Sequence, residues 1–239
     1  QKILASGSLE YNNKKQGNYI VKINSNGTRD ASFNNIGKGF FRTTVNDVIQ
    51  SADGKILVGG QFHSYNGLKC NGFTRLNYDG SVDNTLNYGG LNGFEGNNNG
   101  EITSIETTSD GKIYIGGSFS TFNGNPAGRI VRINPDGKKD TSFNIGEGFD
   151  YRTAYPGRIN DIMSLPNGYV LVAGFFSTFG WYNRYGIVAL DSQGNMAGFP
   201  DVGRYVNCLK KQNDGNVLIG SNGNTTVDAV LRFDVNSWK

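Results

Sequence analysis

The sequence has little reactive chemistry: one histidine, two cysteines, two methionines and five prolines in 239 residues, with charged residues at only 18%. Cys70 and Cys208 stand at non-equivalent places in the pattern described below, which argues against a disulfide framework or a zinc cluster. Basic and acidic side chains nearly cancel, 23 against 20, so a net charge of +3 provides no strong field for nucleic acid or an anionic membrane. Apolar runs are short. The longest, Val170 to Phe176, is interrupted by Gly174 and falls far below the ~20 residues that cross a bilayer, so no membrane insertion is expected. No basic stretch followed by an apolar run opens the chain, and localisation has to be argued from other features.

Glycine is abundant instead, at 35 residues, and aromatics make up 12%. Such a chain is rich in turns yet carries enough ring surface to build a core. Its organisation appears in four aligned segments: VNDVIQSADGKILVGGQF (45–62), ITSIETTSDGKIYIGGSF (102–119), INDIMSLPNGYVLVAGFF (159–176) and VNCLKKQNDGNVLIGSNG (206–223). The turn glycines Gly54, Gly111, Gly168 and Gly215 are 57, 57 and 47 residues apart, and the opening QKILASGSL matches the second half of the same unit. A period of this length signals a solenoid, propeller or array. The copies run approximately 1–44, 45–101, 102–158, 159–205 and 206–239 within one domain spanning 1–239.

Each copy holds four β-type segments, A to D, bounded by Gly, Asn and Asp. Asp53-Gly54, Asp110-Gly111, Asn167-Gly168 and Asp214-Gly215 join A to B, and Asn26-Gly27, Asp79-Gly80 and Asp136-Gly137 join C to D. These residues tolerate the positive φ of tight hairpin turns. Four short antiparallel strands cannot bury both faces alone, so the units must pack face to face. The expected fold is all-β, a β-propeller of about five four-stranded antiparallel blades with incomplete terminal blades. Short A–B and C–D turns would emerge on one side, and long B–C loops and D-to-A crossovers on the other, where variable function would sit. The first copy lacks A and the fifth stops before D. This leads us to expect completion of the ring by an outside segment, pairing with residues 2 to 9 or 228 to 234, or membership of a larger polypeptide or assembly.

A basic residue in C is followed eight positions later by an acid in D: Lys22 and Asp30, Arg75 and Asp83, Arg132 and Asp140. The fourth copy loses both together, as Ala189 and Ala197, the pattern expected of structural cross-strand ion pairs rather than of an anion-binding ring.

Segments ILVGGQFHSYNG (56–67) with NGFTRLNYDGSVDNTLN (71–87), and IYIGGSFSTFNG (113–124) with RIVRINPDGKKDTSFNIGEGF (129–149), closely resemble the delta-60 repeat β-propeller family. The resemblance covers nearly the whole chain. The fourth copy departs from it at Gln193-Gly194 and the fifth at Gly220, Ser221 and Asn222. It implies a propeller of the kind found in surface-exposed or secreted bacterial proteins and in phage structural proteins. It brings no catalytic residues.

Chemistry is sparse. His63 has no Ser or Cys nucleophile motif beside it. Asp47 and Asp161 hold equivalent places on segment A, with Ser104 and Cys208 in the other copies. They read as caps of backbone groups near a central channel, and a glycosidase would need a third acid converging on them. Glu106 reads as a solvated edge charge. No calcium loop, phosphate cradle, metal site or cofactor motif is read. Tyr65, Phe122 and Phe179 recur at one position and read as packing residues. Trp181, Tyr182, Arg184, Tyr185, Tyr151 and Tyr155 do not recur, and are the candidate binding residues for protein or glycan on the long-loop face. The expected protein is a non-enzymatic structural or adhesive module of a secreted, cell-surface or virion assembly. The alternative is a glycan-binding or glycan-hydrolysing propeller with its site at the channel mouth.

Overall fold

The computed structural model describes residues 2–7, 20–34, 37–41, 44–86, 93–96, 100–150, 157–198, 201–222 and 229–235. All elements among them are strands. The first repeat contributes β1 (Ile3–Ser6) and β2 (Ile20–Ile23), followed by a crossover strand, β3 (Phe40–Phe41). The second holds β4 (Val45–Gln50), β5 (Ile56–Gly60), a small hairpin of β6 (Ser64–Tyr65) and β7 (Leu68–Lys69), then β8 (Phe73–Leu76) and the crossover β9 (Phe94–Gly96). The third repeats the plan with β10 (Ile102–Thr107), β11 (Ile113–Gly117), β12 (Phe119–Phe122), β13 (Asn125–Pro126) and β14 (Ile130–Ile133). The fourth has β15 (Arg158–Ser164), β16 (Val170–Phe175), β17 (Thr178–Phe179), β18 (Tyr182–Asn183), β19 (Ile187–Leu190) and β20 (Met196–Ala197). The fifth has β21 (Val206–Lys211), β22 (Val217–Ser221) and β23 (Val230–Phe233).

These strands form the blades of a β-propeller. The antiparallel sheets β4–β5–β8, β10–β11–β14, β15–β16–β19–β20 and β21–β22–β23 give the A–B–C order, and β1–β2 supplies B and C of the first repeat. Segment D is shorter than expected. It is a single bridge at Arg29, Val82 and Lys139 in the first three repeats, and a strand, β20, only in the fourth. The B–C connection is more ordered than expected, because it folds into a hairpin. In the second and third repeats that hairpin pairs with the preceding crossover strand, in sheets β3–β6–β7 and β9–β12–β13.

The core lies between sheets rather than within them. Ile56 and Val58 of β5 pack with Ile20 and Phe33 of the first repeat, whereas Leu57 between them packs with Ile102, Ile105 and Ile115 of the third. Alternating side chains therefore enter two different cores, and the B strands β5 and β11 are buried throughout.

Strand A carries the joint between repeats. A β-bulge falls at Asn46, Thr103, Asn160 and Asn207, opposite a pair of small residues on B. At the first three the bulged side chain reaches the next repeat: Asn46 Nδ2 donates to Ile102 O and Asn160 Nδ2 to Val206 O, both at 2.8 Å, and Thr103 Oγ1 donates to Ile159 O, whereas Asn207 Nδ2 donates to Asn222 Oδ1 within its own repeat. The small residue on B admits the next inner strand. A Cβ on Gly59 would lie 2.6 Å from Ile102 Cγ2, and one on Gly116 would lie 2.7 Å from both Ile159 Cγ2 and Ile162 Cδ1. The fourth repeat has Ala173 there, fully buried, and faces the smaller Val206 with Leu209.

The ion pairs differ among repeats. Arg75 Nε meets Asp83 Oδ2 at 2.8 Å, and Arg132 Nε meets Asp140 Oδ2 at 2.7 Å. Lys22, expected on Asp30, instead donates to Tyr78 O at 2.9 Å in the next repeat and lies over the Tyr78 ring. Asp30 takes Lys2 at 2.7 Å. Lys55 and Lys112 occupy the position of Lys2 and reach Asp83 at 3.3 Å and Asp140 at 2.9 Å. The unit is thus an aspartate with a lysine from B, joined in the second and third repeats by an arginine from C. The sequence carries its signal in the recurrent DGK, replaced by Tyr169 in the same repeat that has Ala189 and Ala197.

Candidate functional site

Turn chemistry in the B–C hairpin decides what its tip presents. Asn66-Gly67 and Asn123-Gly124 have φ of 50° and 83°, and of 50° and 77°, the paired positive values of a two-residue hairpin turn that favours asparagine and glycine. Tyr65 and Phe122 just before them are buried, and Tyr65 Oη donates to Gly80 O at 2.7 Å. In the fourth repeat the turn is Gly180-Trp181. Gly180 takes the positive φ of 54°, leaving the second position open to a large side chain. Phe179 still anchors the hairpin inward, and Trp181 projects at 69% exposure. Tyr182 and Tyr185 are 61% and 41% exposed, while Arg184 is half-buried with Nε 3.4 Å from Met196 Sδ. Where Trp181, Tyr182 and Tyr185 stand, the second repeat has Gly67, Leu68 and Asn71, and the third Gly124, Asn125 and Gly128. Tyr151 and Tyr155 lie outside the described residues.

A second aromatic group sits where strand A begins and strand B ends. Phe175 pairs with Arg158 across β15 and β16, and its ring lies 3.8 Å from that of Tyr205, centroid to centroid, at 31°. Phe175 is 45% exposed, Tyr205 half-buried and Arg158 exposed, with Arg158 Nε on Asn160 Oδ1 at 2.9 Å. The place of Phe175 is held by Gln61, Ser118 and Asn222 in the neighbouring repeats. The place of Tyr205 is held by Thr44, Glu101 and Arg158. The repeat alignment contained this difference, but single positions at strand ends do not show which neighbours they will meet.

The inner-strand carboxylates act on the next repeat's backbone. Asp47 Oδ2 accepts from Ile105 N at 2.7 Å, Ser104 Oγ from Ile162 N at 3.0 Å, and Asp161 Oδ2 from Leu209 N at 2.6 Å. Glu106, expected in solvent, is half-buried and accepts from Ser164 N at 2.9 Å. Burial raises the pKa of Asp47, Glu106 and Asp161 above the ordinary carboxylate range, against the pull of these N–H donors. The Asp161 charge adds to the rise at Asp47 and Glu106. The three acids are therefore near enough to interact.

Other reactive groups are isolated. His63 is exposed. Cys70 and Cys208 are free thiols, and burial pushes Cys70 up to about 12, which keeps it protonated. No three His, Cys, Asp or Glu side chains gather as a metal cluster among the described residues. A cleft of about 460 Å³ in the third repeat, lined by Ala127, Val131, Lys139 and Phe143, has a counterpart of about 310 Å³ in the second, lined by Cys70, Thr74, Val82 and Leu86. The clefts recur because segment D is too short to cover strand C. No described helix is long and apolar enough to cross a membrane.

The family described as "Domain of unknown function (DUF5122) beta-propeller" matches residues 2–33, 51–86 and 108–143. No curated protein matches the chain significantly. Among solved structures, a protein of unknown function from Bacteroides caccae is similar over 100% of this chain and 70% of its own, at 14% identity and a TM-score of 0.55. The extracellular domain of a proposed one-component system from B. thetaiotaomicron is similar at 15% identity and a TM-score of 0.51, over 92% of this chain and 25% of its own. PorZ, a surface component of the type-IX secretion system of Porphyromonas gingivalis, is similar at 12% identity and a TM-score of 0.51, over 96% of this chain and 29% of its own. The chain thus spans under a third of the last two proteins. At these identities the likeness bears on the fold alone, and the matching family description gives that fold as a β-propeller.

Proposed function

We propose that this β-propeller, of the delta-60 repeat kind, is a non-catalytic binding module of a secreted, cell-surface or virion assembly. It contacts protein or glycan through the hairpin face of its fourth repeat. The observation that carries this reading is the exposed group Trp181, Tyr182 and Tyr185, at positions where the second and third repeats have no aromatic residue. A fold does not require a tryptophan at a solvent-exposed turn, whereas aromatic anchors are concentrated where partners dock. The extracellular domain and the surface component among the similar structures support an external location.

The test is binding of labelled wild type and the W181A/Y182A variant to arrays of glycans and of surface proteins. Binding that falls at least tenfold in the variant, with an unchanged melting temperature, supports the reading. Equal binding by both proteins sinks it.

A hydrolytic reading draws on the proximity of Asp47, Glu106 and Asp161. Each of these carboxylates already accepts a backbone N–H from the next inner strand, the role the non-ionisable Ser104 fills with Ile162 N. That shared role favours a structural part for all three.

A further inference from the structure

The geometry points to a second binding site, at the boundary of the fourth and fifth repeats, where Phe175, Tyr205 and Arg158 form a platform for a carboxylate-bearing pyranose such as a uronic acid residue. Phe175 and Arg158 face each other across an antiparallel strand pair, which places their side chains side by side on one face. Tyr205, which leads into β21, stacks on the Phe175 ring at 3.8 Å and backs it, leaving Phe175 45% exposed as the flat apolar surface. An aromatic face is electron-rich and attracts the weakly positive C–H groups of a sugar ring laid on it.

Arg158 supplies the charge selection. Its Nε is held by Asn160 Oδ1 at 2.9 Å, which steers the guanidinium, and no carboxylate pairs with it among the described residues. A planar guanidinium with unspent donors beside a flat apolar surface matches a ring carboxylate in both shape and charge. The third repeat has Glu101 and Ser118 at the positions of Arg158 and Phe175, a reversed charge and no ring. The platform is therefore particular to this boundary. It uses none of the hairpin-tip residues, so it stands or falls separately from the proposal above.

The test is calorimetric titration of the whole chain with trigalacturonate and, in parallel, with its fully methyl-esterified form, which has the same rings but no charge. Saturable binding of the acid, with the ester at least tenfold weaker, is expected. R158E should weaken binding of the acid at least tenfold, and F175S and Y205T several-fold each. R158E and F175S carry residues of the third repeat and Y205T one of the second, so the framework accommodates them, and melting temperatures check this. K138E changes the net charge equally at an exposed position on the opposite side, and should leave binding unchanged. The proposal is overturned if the acid shows no saturable binding up to 10 mM, if the ester binds as well, or if K138E weakens binding as much as R158E. The comparison of acid with ester uses wild type alone and remains decisive should a variant fail to fold.

Discussion

Arg132 and Asp140 are 5% and 6% exposed and have almost no water to replace a lost partner. Burial pushes the Asp140 carboxyl upward, yet the Ser142, Lys112 and Arg132 donors overcome it and hold the group well below its usual value. Removing the arginine alone leaves a buried negative charge with Lys112 as its one remaining cation, whereas removing both charges copies the Ala189 and Ala197 of the fourth repeat. R132A should therefore lower stability by about 3 kcal/mol, and R132A/D140A by clearly less. Denaturant melts of both variants check the order. At this scale the sequence was informative about which residues act together, because the fourth copy loses lysine, arginine and aspartate together, as Tyr169, Ala189 and Ala197. It could not show that Lys22 would turn from Asp30 to the next repeat's Tyr78. The shorter ammonium arm meets a carbonyl and a ring there, and Lys2 already occupies the acid.

Between elements, the inner strands are joined by carboxylate caps whose burial has a measurable consequence. Asp47, Glu106 and Asp161 have raised pKa values in the folded state, so folding takes up protons between the ordinary carboxylate pKa and the raised values, and stability increases as pH falls through that window. Asp30 and Asp83, held at about 2, act in the opposite sense. Their contribution is complete above the unfolded value and is lost as pH falls toward the folded one. The melting temperature should thus rise on mild acidification from pH 7, then fall below about pH 4. Asn at position 47 keeps an oxygen for Ile105 N but cannot ionise. D47N should leave stability at pH 7 equal or higher, by about 1.4 kcal/mol for each pKa unit of the rise removed, and flatten the gain on acidification. A D47N melting temperature that drops at pH 7 would show that the charge itself is needed.

Across the whole molecule, cohesion runs from each repeat to the next through the small residue on strand B. G116A would push a methyl into Ile159 and Ile162, at an expected cost of about 1–3 kcal/mol. G116A/I159V imitates the boundary where Ala173 meets Val206, and should recover part of the loss. Because each sheet touches mainly its neighbours, hydrogen exchange in G116A should accelerate in β10–β11 and β15–β16 and stay near wild type in β1–β2. Uniform acceleration over all sheets would mean that the propeller opens only as one unit.

The amino-acid sequence by itself determined the propeller. Period, Asp-Gly and Asn-Gly turns and apolar B segments are local properties, and four aligned copies reinforce one another, so strands A, B and C were legible. The second hairpin signal, Asn66-Gly67 and Asn123-Gly124, was equally present but was absorbed into an expected loop. Segment D was read as a full strand because its turn is clear, although in the first three repeats pairing lasts only one bridge before the Asp turn redirects the chain. What the tertiary structure decided is which side chains of different repeats share a surface. The bulge at Asn46, Thr103 and Asn160 sends a side chain to the neighbouring carbonyl, Glu106 becomes a cap rather than a solvated charge, and Phe175 meets Tyr205 across a boundary 30 residues apart in sequence. Repetition encodes each blade locally, but a site between blades depends on twist, bulge and packing distance, which no periodicity records.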